Sequence, residues 1–205
     1  MKHAKVARRI QGSEGSAAYP GESEGSAAYR GKVREIAELL TERQLTSRLY
    51  MVAFGELQQQ IVLTAPPPLR VVLYRRLMMR IAQRLARTCG ARALVTGESV
   101  GQVASQTLDN LAVINDVVTL PVLRPLVGSD KEEIIVEARG LGTYPISIIP
   151  DQDCCTLFTP KHPATKAKRE DVERAESHLP IIEMEELAVA TAEREDFFFP
   201  NSTGH

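Results

Sequence analysis

The fold is decided by residues 91–106, which read ARALVTGESVGQVASQ. Ala91–Thr96 is an apolar run with branched side chains, and it predicts a buried strand. The turn Gly97–Ser99 follows at once, and Val103–Ile114 predicts a helix after the turn. A buried strand that runs through a glycine turn into a helix is typical of an α/β fold.

The same alternation of strands and helices continues on both sides of this stretch. Further strands are predicted at Arg48–Phe54, Val117–Leu120 and Tyr144–Ile149. Helices are predicted from Val33, at Glu56–Val62, at Val71–Arg87, from a Ser129 cap through Arg139, and at Asp171–Ser177. Such β-α units predict an open, mostly parallel sheet with helices on both faces, in which ligands bind at the carboxyl ends of the strands.

The turn after the first of these strands is a candidate binding site. Gly97 lets a ligand approach the backbone closely, and Ser99 could cap the following helix, whose first N–H groups favour an anion. Gln102 and Gln106 are four residues apart, so on a helix they would share one face and could read a base edge. The alternative interpretation is an ordinary strand-to-helix turn with two glutamines in solvent.

The charge is unevenly distributed although the formal net charge is only −1. Between Leu57 and Gly97 there are seven arginines and no Asp, Glu, Lys or His, whereas acidic residues are concentrated near the C-terminus. Arg76, Arg80, Arg84 and Arg87 form one stripe of the predicted helix, and Leu73, Leu77, Ile81 and Leu85 form another, which is the core face. The arginine stripe either contacts phosphates of a nucleotide or RNA, or is balanced by acids elsewhere in the fold. Arg75 points off the stripe, which favours an inward role.

Two more features could carry chemistry. Lys131 lies at a helix start, with Glu132 at the capping-box position relative to Ser129, and a cation placed against the helix dipole indicates an anionic ligand nearby. The alternative is a simple surface helix start. Cys154 and Cys155 follow a predicted strand end and could handle sulfur or be structural. Cys89 is expected in the core, and no metal-ligand pattern is present.

Composition bounds the class of protein. The 205 residues are 43% hydrophobic and 25% charged, with three cysteines, as in a globular protein of a reducing cytoplasm. No apolar run reaches the roughly 18 residues of a membrane span, and no secretory pattern is visible. We expect a flexible leader over residues 1–31, which holds the duplicated SEGSAAY of 13–19 and 23–29, an α/β domain over 32–178, and an acidic, irregular tail over 179–205.

A longer set of motifs resembles one family. These motifs are Tyr74–Ala82 (YRRLMMRIA), Ala93–Ser99, Gly101–Thr107, Pro121–Leu126, Asp130–Ile135, Gly142-Thr143, and the run from Asp153-Cys154-Cys155 to Pro163. Together they resemble the ATP-pyrophosphatase (PP-loop) domain of the tRNA 4-thiouridine synthetase, or thiamine-biosynthesis sulfurtransferase, family.

The resemblance implies a Rossmann-like, adenine nucleotide α-hydrolase-like fold. It implies ATP-dependent sulfur transfer to uridine eight of tRNA through an adenylated intermediate, and a further role in sulfur supply for thiamine. It also implies ATP, with Mg²⁺, as the cofactor, and tRNA and a cysteine desulfurase or other persulfide donor as partners. The residues implied to bind ATP are Arg75, Gly97 and Gln106, with Glu98, Ser99 and Gln102 beside them, and the catalytic residues are Lys131 and Cys155 or Cys154.

The sequence departs from the family pattern in one respect. The nucleotide loop Ser-Gly-Gly-x-Asp-Ser does not occur in the 205 residues, and neither does the preceding RNA-binding module. The domain is therefore expected to lack its first strand and phosphate loop. Three hypotheses follow. The chain could be active alone or with a second chain that supplies the loop and the RNA-binding module, it could be a catalytically inactive nucleotide- or RNA-binding remnant, or it could be a truncated product that folds poorly.

Overall fold

The computed structural model describes residues 24–101, 103, 106–150, 160 and 162–200. The helices are α1 Glu24–Gln44, α2 Gly55–Thr64, α3 Arg70–Thr88, α4 Leu108–Asn115, α5 Lys131–Leu141, α6 Tyr144–Ser147, α7 Arg169–Glu176 and α8 Ile181–Ala190. The strands are β1 Thr46–Met51, β2 Leu94–Val95, β3 Val122–Leu123 and β4 Glu193–Phe198. The expectation of an α/β fold is confirmed.

Helix α3 is the centre of the core. Its periodic residues Leu73, Leu77 and Ile81 are buried as predicted, and the helix contacts α2, α4, α7, α8 and β2. A 3-10 turn at Pro67–Leu69 separates it from α2, because proline cannot continue the preceding helix. At its other end the chain turns at Gly90, whose φ of 71° suits glycine.

The arginine stripe of α3 is paired with acids from the C-terminal part of the chain. Arg76 is 3% exposed and donates through Nε and Nη2 to the two carboxylate oxygens of Glu176 on α7, at 3.1 and 2.6 Å. Arg80 also donates to Glu176, at 3.1 Å, and Arg84 forms an ion pair with Glu185 on α8, at 2.7 Å. Of the two interpretations of the stripe, the structure therefore favours internal charge balance for these three arginines.

The described strands form two small sheets. β1 pairs antiparallel with β4 over six residues, from Thr46 opposite Phe198 to Met51 opposite Glu193. β2 pairs parallel with β3, with Leu94 opposite Val122 and Val95 opposite Leu123. The expected single open, mostly parallel sheet is not confirmed within the described residues, where only the β2–β3 pair is parallel.

Several predicted elements differ in the structure. Tyr144–Ile149 was expected to be a strand, but residues 144–147 form the short helix α6, which has a proline in its first turn. The strand expected at Val117–Leu120 lies further along the chain, at β3. The helix expected from Val103 begins only at Leu108, because the side chain of Thr107 caps it there.

The two ends of the described chain are more ordered than expected. α1 begins at Glu24, within the predicted leader, so most of the second SEGSAAY copy is helical. The predicted irregular tail contains α8 and β4, and Phe197 in β4 is buried. Residues 1–23 and 201–205 lie outside the described residues.

Cys89 is exposed, so its expected place in the core is wrong. It follows the last residue of α3, and its Sγ lies 3.2 Å from the hydroxyl of Tyr50. That hydrogen bond, together with the nearby Arg48, lowers the pKa of the thiol.

The buried pair of Arg76 and Glu176 generates a stability prediction. Glu176→Gln leaves the Arg76 guanidinium buried without its counter-charge, which costs roughly 3 kcal/mol of unfolding free energy. The measurement is urea unfolding followed by circular dichroism. The control is Glu173→Gln on the same helix, an exposed position that we expect to stay within about 0.5 kcal/mol of wild type. A loss at position 176 no larger than that of the control would contradict the assignment.

The ion pair of Arg76 and Glu176 also predicts how the unfolding free energy changes with pH. Burial raises the pKa of Glu176, but hydrogen bonds and charge from Arg76 and Arg80 outweigh burial and bring it below the ordinary value of 4.5. Its stabilising contribution is therefore complete above pH 4.5 and is lost as the pH falls through the lowered folded-state pKa. The difference in unfolding free energy between wild type and Glu176→Gln should therefore shrink as the pH falls.

Candidate functional site

Because β2 and β3 pair in parallel, the carboxyl-terminal ends of these two strands lie side by side. The Leu94 N–H donates to Pro121 O at 2.8 Å, and the Thr96 N–H donates to Leu123 O at 3.0 Å. The turn Gly97–Ser99 follows β2, and Arg124 follows β3 directly. The edge at which ligands of α/β sheets bind therefore carries a glycine turn and an arginine.

Glu98 is the buried centre of this edge. Its carboxylate accepts hydrogen bonds from the guanidinium groups of Arg75 on α3 and Arg124, and from Thr96 Oγ1 at 2.7 Å. Burial raises the pKa of Glu98, but the bonds from Thr96 and Arg124 and the charge of Arg75 lower it overall. The carboxyl group is thus held ionised between two cations.

Ser99 joins the turn to the start of α5. It is buried, and its hydroxyl donates to Ser129 O at 2.8 Å, while its N–H donates to Gln106 Oε1 at 3.3 Å. The expectation that Ser99 caps the next helix is wrong, since α4 begins at Leu108 with Thr107 as its cap. Gln106 lies before the first residue of α4. The expected alignment of Gln102 and Gln106 on one face of that helix is therefore not observed.

A capping box fixes the first turn of α5. The Asp130 side chain accepts from the Glu133 N–H at 2.9 Å, and the Glu133 side chain accepts from the Asp130 N–H at 2.9 Å. The cap is therefore one residue later than the expected pair of Ser129 and Glu132. Lys131 is the first residue of α5, and it is exposed. It follows Ser129, whose carbonyl accepts the hydrogen bond from Ser99, by two residues.

A group of hydrogen bonds fixes residues 164–167, which follow the cysteine pair in the sequence, to the start of α4. Asn110 is fully buried in α4, its amide donates to Ala164 O at 2.8 Å, and its oxygen accepts from the Ala167 N–H at 2.9 Å. The Thr107 hydroxyl donates to Thr165 O at 2.7 Å. Residues 164–167 are thereby fixed to the start of α4, just beyond the Gly97–Gln106 segment.

The structure brings together most of the predicted site residues that it describes. Arg75 and Glu98 are in direct contact, Ser99 and Gln106 share a hydrogen bond, and Gly97 is exposed beside them. Gln102, Cys154 and Cys155 lie outside the described residues. Sequence reasoning did not assign a role to Arg124, although it lies in the Pro121–Leu126 motif. The predicted strand ended at Leu120, whereas the observed strand β3 ends at Leu123, directly before Arg124.

Among the described residues, no group of three His, Cys, Asp or Glu side chains could hold a metal ion. None of the described helices combines the length and the apolar character that a membrane crossing requires.

An α/β domain with arginines and a glycine turn at the end of parallel strands is of the class that binds anionic ligands. Residues 17–181 match the family model described as "Thiamine biosynthesis protein (ThiI)". The chain therefore belongs to the ThiI family, as the sequence motifs indicated.

Curated relatives agree with this family. The chain is 55% identical over 164 residues to a probable tRNA sulfurtransferase of Thermus thermophilus, a match that covers 80% of this chain and 40% of the relative. It is 49% identical over 162 residues to a probable tRNA sulfurtransferase of Anoxybacillus flavithermus, covering 79% of this chain and 41% of the relative. The chain thus spans about two fifths of the length of these relatives.

A solved structure shares the fold. It is described as a crystal structure of a 4-thiouridine synthetase–RNA complex with bound ATP. The match has a TM-score of 0.80 and 42% sequence identity, and it covers 88% of this chain and 47% of the other.

The capping box generates a second prediction. Asp130→Ala removes the side-chain acceptor for the N–H of Glu133 and should lower the unfolding free energy by about 1 kcal/mol. Ser129→Ala is the matched control, because the hydrogen bonds given for Ser129 are made by its backbone: its carbonyl accepts from Ser99 and its N–H donates to Leu126 O. Urea unfolding of both variants decides between the two registers, and an equal or larger loss for Ser129→Ala would contradict the observed cap.

Proposed function

We propose that the chain carries out ATP-dependent sulfur transfer to uridine eight of tRNA, forming 4-thiouridine through an adenylated intermediate. The observation that carries the proposal is the likeness to the 4-thiouridine synthetase solved with RNA and ATP, at 42% identity over 88% of this chain. Membership of a family named for thiamine biosynthesis supports a second use of the same sulfur, in the supply of thiamine.

The donors at the edge of the β2–β3 pair fit a nucleotide with a charged phosphate chain. Arg75 and Arg124 share the single carboxylate of Glu98, so this group of three side chains carries a net charge of +1. A Cβ atom added at Gly97 would meet nothing within 4 Å, so the backbone there is open to a ligand. When bound, ATP supplies the adenylyl group that makes the C4 oxygen of uridine a leaving group.

In this proposal each residue has a distinct task. Arg75, Gly97 and Gln106 bind ATP, and Lys131 stabilises negative charge during activation from its exposed position at the start of α5. Cys155, or Cys154 beside it, handles the persulfide sulfur that displaces AMP. In the same proposal, Mg²⁺ binds together with the phosphates of ATP.

The β2–β3 pair supports a further structural proposal. Val95 is 66% exposed and Leu123 is 55% exposed, although they lie opposite each other in the parallel pair. We infer that this pair is part of a larger, mostly parallel Rossmann-like sheet.

The function is tested by 4-thiouridine formation in an unmodified tRNA transcript. The chain is incubated with ATP, cysteine and a cysteine desulfurase, and thiolated tRNA is detected by its retardation on a mercury-containing gel. A second arm adds a polypeptide that carries the Ser-Gly-Gly-x-Asp-Ser loop. Product in either arm that depends on ATP supports the function. Binding of ATP without product in both arms favours the alternative of a nucleotide-binding protein without this activity.

Lys131 generates the third prediction. In the arm that gives product, Lys131→Ala should lower the rate of thiolation at least tenfold, because a cation that stabilises developing charge is lost. Lys168→Ala, which removes another exposed lysine, is the control and should keep the rate. An unchanged rate for Lys131→Ala shows that the catalytic role is misassigned.

The adjacent cysteines generate the fourth prediction. Cys155→Ser should abolish sulfur transfer and leave ATP binding unchanged, because the oxygen nucleophile cannot carry a persulfide. Cys154→Ser should retain transfer, and Cys89→Ser, which alters the exposed cysteine after α3, serves as the control. The opposite result at positions 154 and 155 would assign the sulfur chemistry to Cys154.

A further inference from the structure

Glu98 links two arginines, Arg75 and Arg124, through its carboxylate. The residue is only 3% exposed, and its two oxygens accept from three donors: Arg75 through Oε1, and Arg124 and Thr96 through Oε2. A carboxylate with these bonds has little capacity left for a ligand hydroxyl or amine, and its charge repels phosphate. The contacts of Glu98 therefore do not support direct binding of a nucleotide by this residue, which the family resemblance implied.

Arg124 is held from two sides. Its Nε donates to Glu98, and its Nη2 donates at 3.2 Å to Oδ1 of Asn115, the last residue of α4. Among the described residues, no partner is assigned to its Nη1, although a guanidinium carries five N–H donors in a fixed plane. The side chain is thus oriented in advance and retains donors for an anion, with little further loss of rotamer freedom on binding.

The two arginines lie close enough to affect each other. Burial lowers the pKa of Arg75, the charge of Glu98 raises it, and the charge of Arg124 lowers it again. Within this group of three side chains, one carboxylate faces two guanidinium groups, in a partly buried place where charges are weakly screened. A second anion would relieve the remaining repulsion.

We propose that Glu98 is a positioning residue that holds Arg75 and Arg124 as one phosphate-binding pair, and that Arg124 is a further residue that binds the phosphate chain of the nucleotide. The identity of the ligand as a nucleotide rests on the proposed function. The arrangement of the pair rests on the contacts of Glu98, Arg124 and Asn115.

The charge and the geometry of Glu98 have opposite effects on anion binding, which makes the proposal testable. Glu98→Gln removes a negative charge, so a purely electrostatic role predicts that a polyphosphate binds more tightly. A glutamine amide, however, has one acceptor oxygen and presents its NH₂ group to an arginine, so it cannot hold both guanidinium groups. Positioning therefore predicts weaker binding in spite of the more favourable net charge.

The experiment measures the binding of inorganic tripolyphosphate, ATP and adenosine to the whole chain by isothermal titration calorimetry at one fixed salt concentration. Glu98→Gln and Arg124→Gln should each weaken tripolyphosphate and ATP at least tenfold and leave the affinity for adenosine unchanged. Glu173→Gln and Arg174→Gln make the same charge changes on α7 and should stay within twofold of wild type. Thermal unfolding of each variant verifies the fold.

Arg124→Lys keeps the proposal testable if Glu98→Gln does not fold. Lysine retains the charge but lacks the planar fork that contacts Glu98 and Asn115 together, so it too should weaken tripolyphosphate. Tripolyphosphate affinity that is equal to or tighter than that of wild type in Glu98→Gln or Arg124→Gln, or absent from wild type, overturns the proposal. Binding that depends on Glu98 and Arg124 without any tRNA thiolation would retain the pair and reject the proposed function.

Discussion

The rest of the structure depends on one buried ion pair, between Arg76 and Glu176. The guanidinium of Arg76 makes both of its bonds to the carboxylate within 3.1 Å and sends a third, of 2.6 Å, to Val113 O in α4. A single side chain of α3 thus joins three helices that are far apart in sequence. Because an ion left alone in the core is costly, the pair requires α7 to dock in one position against α3.

This constraint explains the charge distribution of the chain. The segment that lacks acids contains the core helix α3, and three of its arginines, Arg76, Arg80 and Arg84, are paired with acids from α7 and α8. Part of the charge that cancels in the net value of −1 is therefore paired inside the fold. Arg75, on the same helix but off the stripe, takes its counter-charge from Glu98 instead, and this difference sets it apart as part of the candidate site.

Sequence patterns predicted the features that depend on local periodicity. Leu73, Leu77 and Ile81 recur at helical spacing, and they are buried as that spacing requires. The cap of α5 shows a limit of such patterns, because Ser129 with Glu132 and Asp130 with Glu133 fit the same capping box one residue apart. Residues 144–149 favour a strand by their branched side chains, yet tertiary context makes the first four of them helical.

The bridge at Glu98 could not be predicted in this way. Its two arginine partners lie 23 and 26 residues away, and no local pattern relates a turn glutamate to residues at those distances. Only the pairing of β2 with β3 and the docking of α3 bring them together. The resemblance to a family pointed to Arg75 and Glu98, but the contact between them and the bond from Arg124 to the same carboxylate are visible only in the three-dimensional structure.

The antiparallel pairing of β1 with β4 has a consequence for the synthesis of the protein. β1 ends at Met51, and its partner β4 begins only at Glu193. While the polypeptide is still emerging from the ribosome, β1 therefore has no strand to pair with and exposes its backbone N–H and C=O groups. Its hydrogen bonds to β4 form only after Glu193–Phe198 have left the ribosome, so this part of the fold closes long after β1 itself has been made.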